Sequence, residues 1–177
     1  MFKIGILGAA DIAFNRFLPA LEKVQGVQCA GVASNSPDKL RRFVDKYNIH
    51  VYESYDEVIQ DENVDCIYVP LPPVFHYEWA KKALLAGKHV FLEKPSTISA
   101  EQTRELVGLA GSMGLVLQEN YMFQYHAQLA DIEKIIASGE LGKLRLVRTS
   151  FGFPRRAGGD FRYIKELGVG TMLDNGG

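Results

Sequence analysis

Cysteine is scarce in these 177 residues: Cys29 and Cys66 stand apart, and neither belongs to a C-x-x-C pair. That spacing excludes the common zinc and redox motifs, and no metal site is expected. Both cysteines sit in apolar runs and read as buried, reduced thiols of a cytoplasmic protein. An excess of one charge is also lacking. Lysine and arginine number 20 against 21 acidic residues, a net charge of -1, which gives no electrostatic reason to expect nucleic acid or a membrane surface as partner. No apolar stretch approaches the roughly 20 residues that span a bilayer. The apolar start, residues 1–10, is interrupted by Asp11 and Arg16 and has no small-residue cleavage pattern after a basic start, so no secretory signal is expected. Internal repeats and low-complexity tracts are missing too. What remains, 47% hydrophobic and 23% charged residues, is the composition of an ordinary folded globular chain.

Apolar runs at residues 3–7, 27–33, 50–52, 65–71, 88–92 and 115–119 predict strands. Helical signals lie between them, beginning with residues 12–24. Ser36 precedes Pro37 at the favoured first helical position, and Leu40, Phe43, Val44 and Tyr47 then share one face. Ser54 with Glu57, and Ser99 with Gln102, have capping-box spacing, and Gly87 ends the helix that follows Pro73. This alternation predicts an α/β fold, a doubly wound parallel sheet with helices on both faces.

That domain is expected over residues 1–121. Residues 122–177 read as the truncated start of an α+β substrate domain. They carry an amphipathic helix at 128–138, turns at Gly139 and Gly142, a strand near 144–151 and the beginning of a helix at Thr171. One helix and one unpaired strand do not bury a core, so the natural protein is expected to continue past Gly177.

Two motifs carry chemistry. Gly8-Ala9-Ala10-Asp11-Ile12-Ala13 follows a strand and opens a helix, the context of a dinucleotide fingerprint of the Rossmann type. Gly8 permits the tight turn, small residues at Ala10 and Ala13 permit close approach, and N–H groups at the helix start hold a pyrophosphate. Ala10 replaces the middle glycine of the common form, and a strand–helix turn without a ligand would look similar. After the second strand, where an NAD enzyme usually has an acid, stand Ser34, Asn35 and Ser36, then Lys39, Arg41 and Arg42. Hydroxyls, an amide and cations suit a 2′-phosphate, so NADP(H) is the expected cofactor; NAD(H) stays open, as does a helix face that is simply solvated.

The second motif is Glu93-Lys94-Pro95, at the carboxyl end of the fifth predicted strand. Open α/β sheets bind ligands at that end. Pro95 disfavours helical geometry at Lys94. A lysine held there can hydrogen-bond a carbonyl or alkoxide and transfer a proton. By itself the tripeptide also fits an ordinary turn.

Taken in order, the fingerprint, the proline-rich strand end with His76 beyond it, the G-K-H-V-F-L-E-K-P run over 87–95 and Asp174 resemble the Gfo/Idh/MocA oxidoreductases. Gly8–Ala13 with Leu18-Pro19-Ala20 is similar to the sugar 3-ketoreductases within that family, which act on nucleotide-linked deoxysugars. The resemblance implies that Gly8, Ala10, Asp11 and Ile12 hold pyrophosphate and that Ser34, Asn35 and Lys39 lie near the adenosine ribose. It implies that Pro70, Leu71 and His76 border the cofactor, with Glu93 and Asn120 near the nicotinamide side and Arg162 contacting cofactor. Lys94 and Asp174 would be catalytic. The family's histidine or tyrosine, four residues after the aspartate, would fall just past Gly177.

The implied function is an NADP(H)-dependent oxidoreductase that moves hydride to or from a sugar or nucleotide-sugar ketone or alcohol. The parent is expected to be a homo-oligomer, and these 177 residues alone to turn over negligibly. An NAD-dependent polyol or inositol dehydrogenase, and a non-catalytic dinucleotide-binding module, are the alternatives.

Overall fold

The computed structural model describes all residues except 153, 156–159, 168–169, 171–172 and 174–177. They divide into two compact units, Met1–Asn120 with Phe161–Gly177, and Tyr121–Asp160.

The first unit is built on five parallel strands: β1 (Phe2–Leu7), β2 (Val27–Ala33), β3 (Cys66–Val69), β4 (His89–Glu93) and β5 (Leu117–Asn120). Their order is β2-β1-β3-β4-β5. The chain leaves β1 to one side and returns to the other, so the sheet is doubly wound, with its switch point between β1 and β3. Alternate residues face opposite layers, and both layers are apolar. Ile4, Ile6 and Tyr68 pack with Phe43 and Leu18 on one face, while Leu7, Ile67, Val69, Val90 and Leu92 pack with Val58, Leu84 and Leu106 on the other. Each fully buried aliphatic side chain contributes about 1.5–3 kcal/mol. Gly5 belongs to the second face, where a side chain would collide with Val58.

The connecting helices are α1 (residues 11–21, with a π-helical turn over Ala13–Phe17), α2 (Pro37–Tyr47), α3 (Tyr55–Gln60), α4 (His76–Leu85) and α5 (Ala100–Met113). Side-chain capping marks where two of them begin. The Ser54 hydroxyl accepts from Glu57 N, and that of Ser99 from Gln102 N. The reciprocal arms differ from the predicted boxes: Glu57 Oε2 reaches Glu53 N, and Gln102 Oε1 is buried with no hydrogen-bond partner among the described residues. Ser36 is the N-cap of α2, but its side chain makes no capping bond.

Two predicted strands need correction. Residues 50–52 form no strand; Val51 makes a single parallel bridge to Val32, with Tyr52 N donating to Val32 O and Val32 N to His50 O. Three residues give too short a ladder to extend the sheet. Residues 144–151 are irregular rather than extended in a ladder, because a strand without a partner lacks the hydrogen bonds that define it. The second unit contains α6 (Ala127–Ala137), which His126 caps by accepting from Gln128 N, followed by turns at Gly139 and Gly142 with positive φ. Thr171 lies outside the described residues. Among the described residues, no helix is long and apolar enough to cross a membrane.

Candidate active site

Parallel strands present all their carboxyl ends at one rim, and the motifs lie there. At the end of β1, Gly8 has φ of +110°, and a Cβ on it would lie 2.7 Å from Leu71 Cδ2. Glycine is therefore required twice, by conformation and by space. Gly8 N donates to Ala33 O across 2.8 Å, which ties the turn to the end of β2. Ala10 N then donates to Gly8 O, and Phe14 N to Ala10 O as α1 begins. The N–H groups of a helix's first turn have no intrahelical acceptor, so the loop offers donors to an anion. Asp11 is exposed, and Ala10 and Ile12 are half-buried.

Arg42 locks α2 onto this loop. Its Nη2 donates to Ala9 O at 3.3 Å and lies 2.6 Å from Asp11 Oδ1. Its guanidinium lies 4.7 Å from the centre of the Phe14 ring. Arg42 Nε is buried without a hydrogen-bond partner among the described residues, a donor suited to one more anionic oxygen. The sequence pointed to Arg42 only as one cation among three.

At the end of β2, Ser34 Oγ accepts from Ser36 N. Asn35 is exposed, and its main chain hydrogen-bonds the Tyr55 hydroxyl. Lys39 lies exposed in the first turn of α2. Pro70 is buried after β3, and half-buried Leu71 packs on Gly8 at the switch point.

His76, the first residue of α4, is fully buried, with Nδ1 2.8 Å from Pro95 O and Nε2 2.6 Å from Leu71 O. Burial holds its pKa below the usual imidazole range, against the opposing pull of these carbonyls and of Glu93.

Hydrogen bonds from neighbouring strands converge at the end of β4. Glu93 is buried, and its Oε1 accepts from Tyr68 Oη at 2.7 Å and from Asn120 Nδ2 at 2.7 Å. Burial, followed by the Glu93 charge, pushes the Tyr68 hydroxyl above the usual phenol range and keeps it a donor. Lys94 is half-buried, and its peptide bond to Pro95 is cis. Ser96 N donates to the Glu119 carboxylate at 2.6 Å. The backbone that carries Lys94 is thus fixed on both sides.

The remaining candidates are placed less fully. Arg162 is half-buried in a 3-10 turn, Phe161–Tyr163, and Asp174 lies outside the described residues. Sequence reasoning missed Tyr68 and Glu119. A hydroxyl inside the apolar run of β3 was the available signal for Tyr68, whereas Glu119 acquires its partner only through strand pairing. No group of three or more potential metal ligands occurs among the described residues. Burial raises both thiols, Cys29 and Cys66, to about 12, which makes them unreactive.

Comparison with known proteins agrees with this architecture. The chain is 42% identical over 174 residues to a dTDP-3,4-didehydro-2,6-dideoxy-alpha-D-glucose 3-reductase of Saccharopolyspora spinosa, covering 98% of this chain and 52% of that one. It is 32% identical to D-xylose 1-dehydrogenase (NADP(+)) 2 of Haloferax volcanii, over 97% of this chain and 53% of that one. The chain therefore spans about half the length of the curated relatives it matches. The crystal structure of KijD10, a 3-ketoreductase from Actinomadura kijaniata in complex with NADP and TDP-benzene, superposes with a TM-score of 0.93 at 39% identity. That superposition covers 99% of this chain and 54% of KijD10. The profile of the Gfo/Idh/MocA oxidoreductase family, NAD-binding Rossmann fold, matches residues 2–121. With a doubly wound sheet, a glycine turn after β1 and a lysine after β4 at the same rim, the chain belongs to the Gfo/Idh/MocA oxidoreductase family.

Proposed function

We propose that this chain binds NADP(H) across the carboxyl rim of its sheet. In the whole protein it would serve transfer of hydride to or from a sugar or nucleotide-sugar ketone or alcohol. The observation that carries this reading is the delivery of Gly8, Ser34, Pro70, Glu93, Lys94 and Asn120 to one rim by five parallel strands. The relatives that act on dTDP-sugars, and the NADP complex of KijD10, support the choice of substrate class and cofactor. One feature beside the turn fits the group: Arg42, which bonds Ala9 O, keeps its Nε buried without an acceptor among the described residues.

In this reading the turn at Gly8 and Ala10 lets the pyrophosphate approach, and the main-chain N–H groups of Asp11 and Ile12 at the helix start hold it. Ser34, Asn35 and Lys39 receive the adenosine ribose and its 2′-phosphate. Pro70, Leu71 and the loop that His76 anchors wall the cleft, while Glu93 and Asn120 orient the nicotinamide-side ribose, and Arg162 contacts the cofactor. Lys94 donates to the substrate oxygen that becomes, or ceases to be, an alkoxide; Asp174 supports the same proton transfer. The bound dinucleotide supplies the hydride chemistry. A positioned proton donor is worth about 10²–10⁴-fold in rate. The dinucleotide domain is taken as 1–121, with 122–177 beginning the substrate domain, and the buried thiols fit the reducing cytoplasm.

Calorimetric titration of the chain with NADPH and NADH tests the reading. Tighter binding of NADPH is expected; tighter binding of NADH would overturn the cofactor preference, and absence of binding by either would overturn the whole.

A further inference from the structure

Two carbonyl oxygens flank the His76 ring, one from each loop that borders the rim. Leu71 O belongs to the loop leaving β3, and Pro95 O to the turn leaving β4. A carbonyl oxygen accepts but never donates, so each contact is a hydrogen bond only when the facing ring nitrogen carries a proton. Leucine at this position would offer neither carbonyl a donor. The ring is fully buried and begins α4, whose helical backbone gives it a rigid mount.

The two carbonyls are not equivalent in what they control. Pro95 O lies one residue beyond Lys94, and the next N–H, that of Ser96, is held by Glu119 from β5. The turn is therefore gripped by two side chains from different elements. Leu71 packs over Gly8, so the same ring also reaches the wall above the first glycine turn.

We propose that His76 is a positioning residue rather than a ligand to the cofactor: its ring couples the loop at Leu71 to the Lys94-Pro95 turn and sets where the Lys94 ammonium stands. The neutral ring secures one carbonyl through its single N–H, and a protonated ring secures both. Glu93 is the neighbouring charge that favours the second state, and burial opposes it. The inference rests on the reading of Lys94 given above, but its primary test needs no cofactor.

The primary test is NMR of the unliganded chain. Ring-nitrogen spectra of His76 are expected to show one locked tautomer or a doubly protonated ring, in contrast with exposed His50. Rapid tautomer averaging at His76 would overturn the proposal, and this reading requires no mutant to fold. In chains with 13C-dimethylated lysines, His76→Leu is expected to shift the Lys94 signal while that of Lys88, bonded to Asp61 O and Val64 O, stays in place. His76→Gln, which keeps a donor, is expected to restore most of the wild-type shift.

An unmoved Lys94 signal in a folded His76→Leu chain would contradict the coupling. NADPH added to the same wild-type sample separates the two ideas. If His76 is locked and the Lys94 signal ignores NADPH, the cofactor reading fails while the positioning role stands.

Discussion

The hydroxyl of Tyr68 donates to Oε1 of Glu93 across 2.7 Å, joining the adjacent strands β3 and β4 just below the rim. Tyr68 is fully buried and stacks on Phe17 with ring centres 4.1 Å apart. Its donor is therefore fixed before any ligand arrives. Replacing Tyr68 with phenylalanine leaves Asn120 Nδ2 as the remaining side-chain donor to that oxygen among the described residues. A hydrogen bond to a charged group is worth about 1.5–3 kcal/mol. Chemical denaturation of Tyr68→Phe should show a loss in that range, together with weaker NADPH binding.

Gly8→Ala combines a left-handed φ with a clash against Leu71 Cδ2. Backbone strain of this kind costs about 1–3 kcal/mol. The variant should lose more affinity for NADPH than stability, since the loop must shift where the pyrophosphate would sit. Parallel melting curves and titrations check the ratio.

Lys88 supplies a contrast. Its Nζ donates to Asp61 O at 2.8 Å and Val64 O at 2.6 Å, closing the loop before β3 at the end of the sheet opposite the rim. Lys88→Met should destabilise the chain by about 2–3 kcal/mol, because buried carbonyls lose their donor. NADPH affinity measured on the folded fraction should not change.

Acid stability should report Asp61. Its hydrogen bond from Tyr52, with support from Asn63, lowers its carboxyl to about 2 from an ordinary 3.8. The folded state thus binds a proton less readily than the unfolded one. The stabilisation is complete above the ordinary value and is lost as pH falls from about 4 to about 2. Tyr52→Phe should flatten the pH dependence of unfolding in that interval.

Local signals were legible in the sequence. Gly8 required a turn wherever its strand lay, and Ser54 and Ser99 marked helix starts through bonds within three residues. The alternation of strands and helices gave the doubly wound sheet for the same reason. What escaped was settled between distant elements. Residues 50–52 look like β sequence, yet they meet β2 in a single bridge, Val51 to Val32. The pairing of Ser96 with Glu119 spans 23 residues and exists only because β4 and β5 are neighbours. Arg42 reads from sequence as one of three cations suited to a 2′-phosphate or simply solvated, and the fold brings it to Ala9 and Asp11. The reciprocal arm expected from Gln102 is replaced by Thr97, whose Oγ1 accepts from Ser99 N.

The most direct measurement is a crystal structure of the chain soaked with NADP. The account predicts the dinucleotide along the rim, its pyrophosphate over Gly8 and its nicotinamide beside Lys94. A dinucleotide bound elsewhere, or a nicotinamide ring far from that ammonium, would contradict it.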